Sequence, residues 1–152
     1  MPEETPTHVW KEIHTTWNGG DGYLAENKAG TTVLMGTGAD GQPGVSPMEL
    51  LLAGLAGCTA MDIIEILKKK RQLPVEFQVR VRGRQRTDVY PKAYDEFQVE
   101  YLLWGENLVE KDVLQAIQLS EEKYCSVGGT LMKAGPIHST FRILKPGEPV
   151  NR

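Results

Sequence analysis

At 152 residues, with 40% hydrophobic and 24% charged side chains, the chain has the size and composition of a single ordinary globular domain, residues 1–152. Seventeen basic against twenty acidic residues leave a net charge of −3, which gives no basis for nucleic-acid binding. No apolar stretch is expected to approach the roughly 18 to 20 residues of a membrane span. The opening Met1-Pro2-Glu3-Glu4-Thr5-Pro6 lacks the hydrophobic core of a secretory leader, so a cytoplasmic protein without a membrane partner is expected.

The first 45 residues read as strands. Thr7 to Trp17 mixes β-formers with polar residues, and Asn18-Gly19-Gly20-Asp21-Gly22 is a strong hairpin signal. Tyr23 to Glu26 and Thr31 to Met35 are the next short strands, and the glycine-rich 36–44 segment is a loop without a phosphate-binding pattern. A helix starts at Ser46, where the serine is the N-cap, Pro47 takes the first helical position and Glu49 completes a capping box. It is expected to run to about Gln72, ending in Lys68-Lys69-Lys70-Arg71, whose charges complement the helix dipole. From Leu50 to Ala60 it is apolar or small nearly all round, which predicts burial on every face.

Val75, Phe77, Val79 and Val81 alternate with polar residues, the pattern of a half-buried strand, paired with one around Phe97, Val99 and Tyr101. Residues 83–91 connect them. A second helix is expected over Val109–Tyr124, with Val113, Leu114, Ile117 and Leu119 on its apolar side, and a last strand over Ile137–Leu144. The order implies an α+β domain with helices packed against antiparallel sheet.

The chain has two cysteines, 67 positions apart, so no local pairing brings them together. Two cysteines in a reducing compartment are thiols or redox partners more often than a structural staple, although buried cysteines also serve as small hydrophobes. His8, His14 and His138 show no ligand spacing with either, and no metal is expected. Asp62, one turn beyond Cys58, and Glu65 have two readings: they orient a cation, or they mark where a long helix turns polar. The small residues Ala53, Gly54, Gly57 and Ala60 either leave room for a substrate or second sulfur, or permit close helix packing.

Two phrases carry a resemblance. Ser46-Pro47-Met48-Glu49-Leu50-Leu51-Leu52-Ala53-Gly54-Leu55-Ala56-Gly57-Cys58 and Tyr124-Cys125-Ser126-Val127 resemble the two cysteine motifs of the OsmC/Ohr family of thiol-dependent peroxidases, and the element order agrees over nearly the whole chain. The resemblance implies an intertwined homodimer, curved sheets wrapped around two central helices per subunit, and an active site at the dimer interface. It makes Cys58 the peroxidatic residue, which a hydroperoxide oxidises to a sulfenic acid, and Cys125 the resolving residue, which closes a disulfide. It also implies a role in stress defence and re-reduction by an external dithiol such as a lipoyl group, with no bound cofactor.

Two positions depart from the hydroperoxide-resistance branch, which pairs an N-terminal arginine with a glutamate directly after the helix-starting proline. All seven arginines lie at position 71 or later, and Met48 follows Pro47. Glu49 points about 100° away from that position around the helix. The longer wording resembles an OsmC-like branch whose peroxidase activity is a weaker implication.

A nucleophilic cysteine must be a thiolate, and an unperturbed one is only about 3% ionised at neutral pH. Cys58 lies roughly three turns from the helix start, beyond reach of the dipole. A cation is required, and Lys11, Lys28, His8, His14, Arg80, Arg82 and Arg84 are candidates. Three functions stand: a hydroperoxide reductase, a thiol-exchange or small-molecule binding protein without peroxidase turnover, and a structural domain with inert thiols.

Overall fold

A computed structural model describes residues 3–150. The described chain forms two compact units, one ending at Leu50 and the other beginning at Leu51.

The first unit holds an antiparallel meander of β1 (His14–Trp17), β2 (Gly22–Glu26) and β3 (Thr32–Gly36). The predicted hairpin lies between β1 and β2. The Asn18 carboxamide oxygen accepts from the Gly20 backbone N–H at 2.8 Å, and Gly19 turns the chain at φ 86°. The strand expected from Thr7 begins only at His14, because residues 7–13 have no partner strand among the described residues.

Helix α1 (Pro47–Lys69) starts as its capping box dictates. The Ser46 N–H donates to Glu49 Oε1 at 2.9 Å, and the Glu49 N–H donates to Ser46 Oγ at 3.1 Å. Hydrogen bonding to the Ser46 backbone N–H first, and to its side chain second, holds the Glu49 carboxyl below its ordinary pKa. Burial on every face is not what forms. Within the chain only Leu55, Thr59, Ile63 and Leu67 are buried, a stripe repeating every four residues. Leu51 and Met61 remain 42% and 73% exposed. A three-stranded sheet with short helices covers one side of a long helix, and α1's composition exceeds that cover. Contrary to expectation, α1 is also long and apolar enough to cross a bilayer, since few charges interrupt it before Lys68.

The second unit is built on β4 (Glu76–Gln85), β5 (Tyr94–Trp104) and β6 (Ile137–Leu144), with β5 central. Phe97, Val99, Tyr101, Leu102, Leu103 and Trp104 of β5 are buried, as a middle strand requires. β4 and β5 pair antiparallel, with Val81 opposite Val99. The sheet is not wholly antiparallel, because β6 runs parallel to β5, Phe97 facing Ile137. The physical reason is the connection: parallel neighbours need a long crossover, and here helices supply it.

The crossover also departs from one uninterrupted helix. It is α2 (Glu110–Leu119), a wide π turn over Ser120–Tyr124, and α3 (Ser126–Leu131). In the π turn the Cys125 N–H reaches back five residues to the Ser120 carbonyl at 2.7 Å. Gln72 binds the end of α1 to the start of α2: its Oε1 accepts from the Val109 N–H at 2.8 Å, and its Nε2 donates to Asp112.

Candidate active site

Cys58 lies three turns into α1, flanked by the buried Thr59, whose Oγ1 donates back to the Leu55 and Ala56 carbonyls at 3.1 and 3.2 Å. Cys58 is half-buried, beside the core stripe rather than in it. Four residues on, one turn along the same face, stands Asp62. The π turn aims the other side of the site at this face. Ser120, fully buried, donates its Oγ–H to Asp62 Oδ2 at 2.9 Å. Cys125 follows as the N-cap of α3, only 6% exposed.

The fold thus joins two cysteines that lie 67 positions apart in the chain. Cys58 Sγ, Cys125 Sγ and an Asp62 carboxylate oxygen all lie within 4.8 Å of one another. Cys125 Sγ accepts from the Gly128 backbone N–H at 3.2 Å, which favours its anion. Burial outweighs that bond and pushes the Cys125 thiol up to about 11, with the neighbouring Cys58 and Asp62 adding to the rise. Cys125 is therefore a held, protonated thiol, while Cys58 is the more accessible of the two.

On its other side Cys125 borders a cavity of about 200 Å³, walled mainly by Leu55, Val99, Met132 and Ile137. Thr59, Tyr101 and Glu121 give it polar groups. The Tyr101 hydroxyl donates to Glu121 Oε1 at 3.0 Å and Ser139 Oγ donates to Glu121 Oε2 at 3.1 Å. Burial first, and then the Glu121 carboxylate, raise the Tyr101 pKa, so its hydroxyl stays a donor.

The cations considered from sequence are placed less helpfully. Lys11, Lys28, His8 and His14 belong to the first unit. On β4, Arg80 pairs with Glu100 at 3.3 Å, and Arg84 pairs with Asp95 at 2.7 Å and Glu96 at 3.1 Å. Among the described residues Arg82, Asp62 and Glu121 form no ion pair. Within the second unit the charged group beside both thiols is the Asp62 carboxylate, and Glu121 shares the cavity with Cys125. Glu65 is not one of the three converging groups; it is exposed in a groove that Asp62, Lys69 and Lys70 also line.

Ser120, Glu121 and Tyr101 were not singled out from sequence. A Ser-Glu-Glu run reads as solvated helix surface, and only the π turn swings its first two members inward. For Asp62 the sequence carries a signal, its i+4 spacing from Cys58.

A family model described as OsmC-like protein matches residues 38–140, a span that holds both cysteines and the cavity-lining residues. The chain belongs to the OsmC-like protein family. Protein YhfA of Escherichia coli strain K12 is 34% identical over 133 residues, 88% of this chain and 98% of that protein. Among solved structures, a protein of Aquifex aeolicus is 30% identical with a TM-score of 0.79, covering 91% of this OsmC-like chain and 98% of its own. The organic hydroperoxide resistance protein OhrB of Bacillus subtilis shares the fold at 14% identity and a TM-score of 0.59, over 88% and 98% of the two chains.

Proposed function

We propose that this OsmC-like protein is a cytoplasmic, cysteine-based reductase of organic hydroperoxides acting in stress defence. The observation that carries the reading is the convergence of the two sulfurs within 4.8 Å, one accessible and one buried. The Cys58 thiolate attacks the outer peroxide oxygen; the O–O bond breaks, the alkoxide takes a proton and leaves as an alcohol, and Cys58 becomes a sulfenic acid. The Cys125 sulfur then attacks Cys58, the S–O bond breaks, and hydroxide departs with the thiol proton as water. An external dithiol, of lipoyl type, returns the disulfide to two thiols and is itself oxidised. The apolar cavity beside Cys125 suits an alkyl chain.

The working form is a homodimer with the site at the interface. On α1, Leu51 and Met61 are exposed apolar side chains that a second copy would cover. Sedimentation showing a folded monomer at low micromolar concentration would count against this.

A second reading, thiol exchange or small-molecule binding without turnover, draws on the carboxylates around the thiols and the missing arginine–glutamate pair. The deciding experiment adds one equivalent of an alkyl hydroperoxide to reduced protein and follows both thiols. Rapid loss of both, with one alcohol formed, is expected for the reductase. Slow loss supports the exchange reading, and unreactive native thiols would overturn both.

A further inference from the structure

The same three side chains have a second chemistry that peroxide reduction does not use. We propose that Cys58, Cys125 and Asp62 together bind one thiophilic divalent cation of the zinc type. Two sulfurs and a carboxylate oxygen are a donor set such a cation favours, and three protein ligands with one open position is an established arrangement for it.

The distances argue for it. Two sulfurs each about 2.3 Å from a tetrahedral ion stand about 3.8 Å apart. No donor pair here exceeds 4.8 Å, so the site closes on an ion by no more than about 1 Å. A disulfide, at about 2.05 Å, demands up to about 2.8 Å of closure from the same limit. Measured from that limit, the reduced site needs less closure to hold an ion than to form a disulfide.

The surroundings argue likewise. Cys58 and Asp62 project from one face of α1, one turn apart, and Cys125 approaches from the separately anchored start of α3. Asp62 is oriented by the fully buried Ser120, whose hydroxyl engages Oδ2, the outer-shell support that ligating carboxylates commonly have. Two thiolates and a carboxylate carry three negative charges, and among the described residues Asp62 has no cationic partner. A divalent ion supplies two positive charges there. Binding replaces two S–H bonds with two metal–sulfur bonds and releases both protons to solvent, with no change of oxidation state. Tied to the ion, the sulfurs cannot meet a hydroperoxide, so the ion acts as a reversible guard on the thiols rather than as a cofactor.

The test uses reduced full-length protein under anaerobic conditions with no peroxide, so its outcome is independent of whether the protein is a reductase. Cadmium is titrated and the thiolate-to-metal charge-transfer absorption is recorded, with zinc as competitor. The expected result is saturation at one cadmium per chain, a higher Tm in its presence, and loss of the band when the thiols are first oxidised. Cys58→Ser and Cys125→Ser should each weaken binding by about a hundredfold or more, and Asp62→Asn by at least about tenfold. Far-ultraviolet circular dichroism checks that each variant is folded, and the Tm rise of the unaltered protein needs no variant. One cadmium per two chains, or single-cysteine variants that bind as the parent does, would overturn the site. An unchanged affinity in Asp62→Asn would strike Asp62 from it.

Discussion

Two adjacent glycines of α3 allow the crowding around the Cys125 sulfur to be measured. Gly128 and Gly129 both have ordinary helical backbone, so each admits alanine without backbone strain. A methyl group on Gly129 meets nothing within 4 Å. It should therefore gain only the helix preference of alanine, about 0.5–1 kcal/mol. A methyl group on Gly128 would stand 3.2 Å from Cys125 Sγ, 3.5 Å from its Cβ and 3.7 Å from Leu55 Cδ1. The sulfur must give by a few tenths of an ångström, and overpacking of this kind costs about 1–3 kcal/mol. Subtracting the same helix preference leaves Gly128→Ala neutral to about 2.5 kcal/mol destabilising, against a gain for Gly129→Ala. The assay is urea unfolding of the reduced protein, comparing midpoints at constant slope. Disulfide closure after one equivalent of hydroperoxide should also change in Gly128→Ala and not in Gly129→Ala. Equal stabilisation by the two alanines would refute the claim that the Cys125 sulfur is packed against Gly128.

Cys125 should leave a signature in the pH dependence of stability. Its thiol is raised from 9.0 to about 11 by burial, so above pH 9 the unfolded chain loses this proton before the folded one does. The stability it contributes is complete below that range and is lost as pH rises through about 11; urea midpoints of the parent minus those of Cys125→Ala should show the fall. Tyr101→Phe keeps the ring and removes the 3.0 Å bond to Glu121, so it should cost about 1.5–3 kcal/mol in chemical denaturation. Ser46→Ala removes the N-cap of α1 and should cost about 1 kcal/mol. Because the capping bonds lower the Glu49 pKa, its own contribution is present above about 4.5 and lost as pH falls through the depressed value; acid titration of Glu49→Gln against the parent should show that difference.

Local chemistry was legible in the chain itself. The start of α1 follows from Ser46, Pro47 and Glu49, because a capping box satisfies its own backbone donors without distant help. The hairpin at Asn18–Gly22 and the strand Ile137–Leu144 follow from turn residues and β-formers in the same way. The two cysteine phrases pointed to the family from sequence. What the sequence left open depended on partners far away in the chain. Residues 7–13 have strand composition but no neighbour to pair with among the described residues. The helix around Ser120 gives way to a π turn where Ser120 meets Asp62 and Cys125 meets Cys58, contacts across the chain that no 3.6-residue periodicity carries. The parallel β6 and the one-sided cover of α1 likewise arise from how crossover and sheet assemble. The sequence determined which residues were capable of thiol chemistry. The tertiary structure decided that they meet, which of them is buried, and that their near neighbours are carboxylates, because distance, desolvation and charge are properties of the packed site and not of the residues that enter it.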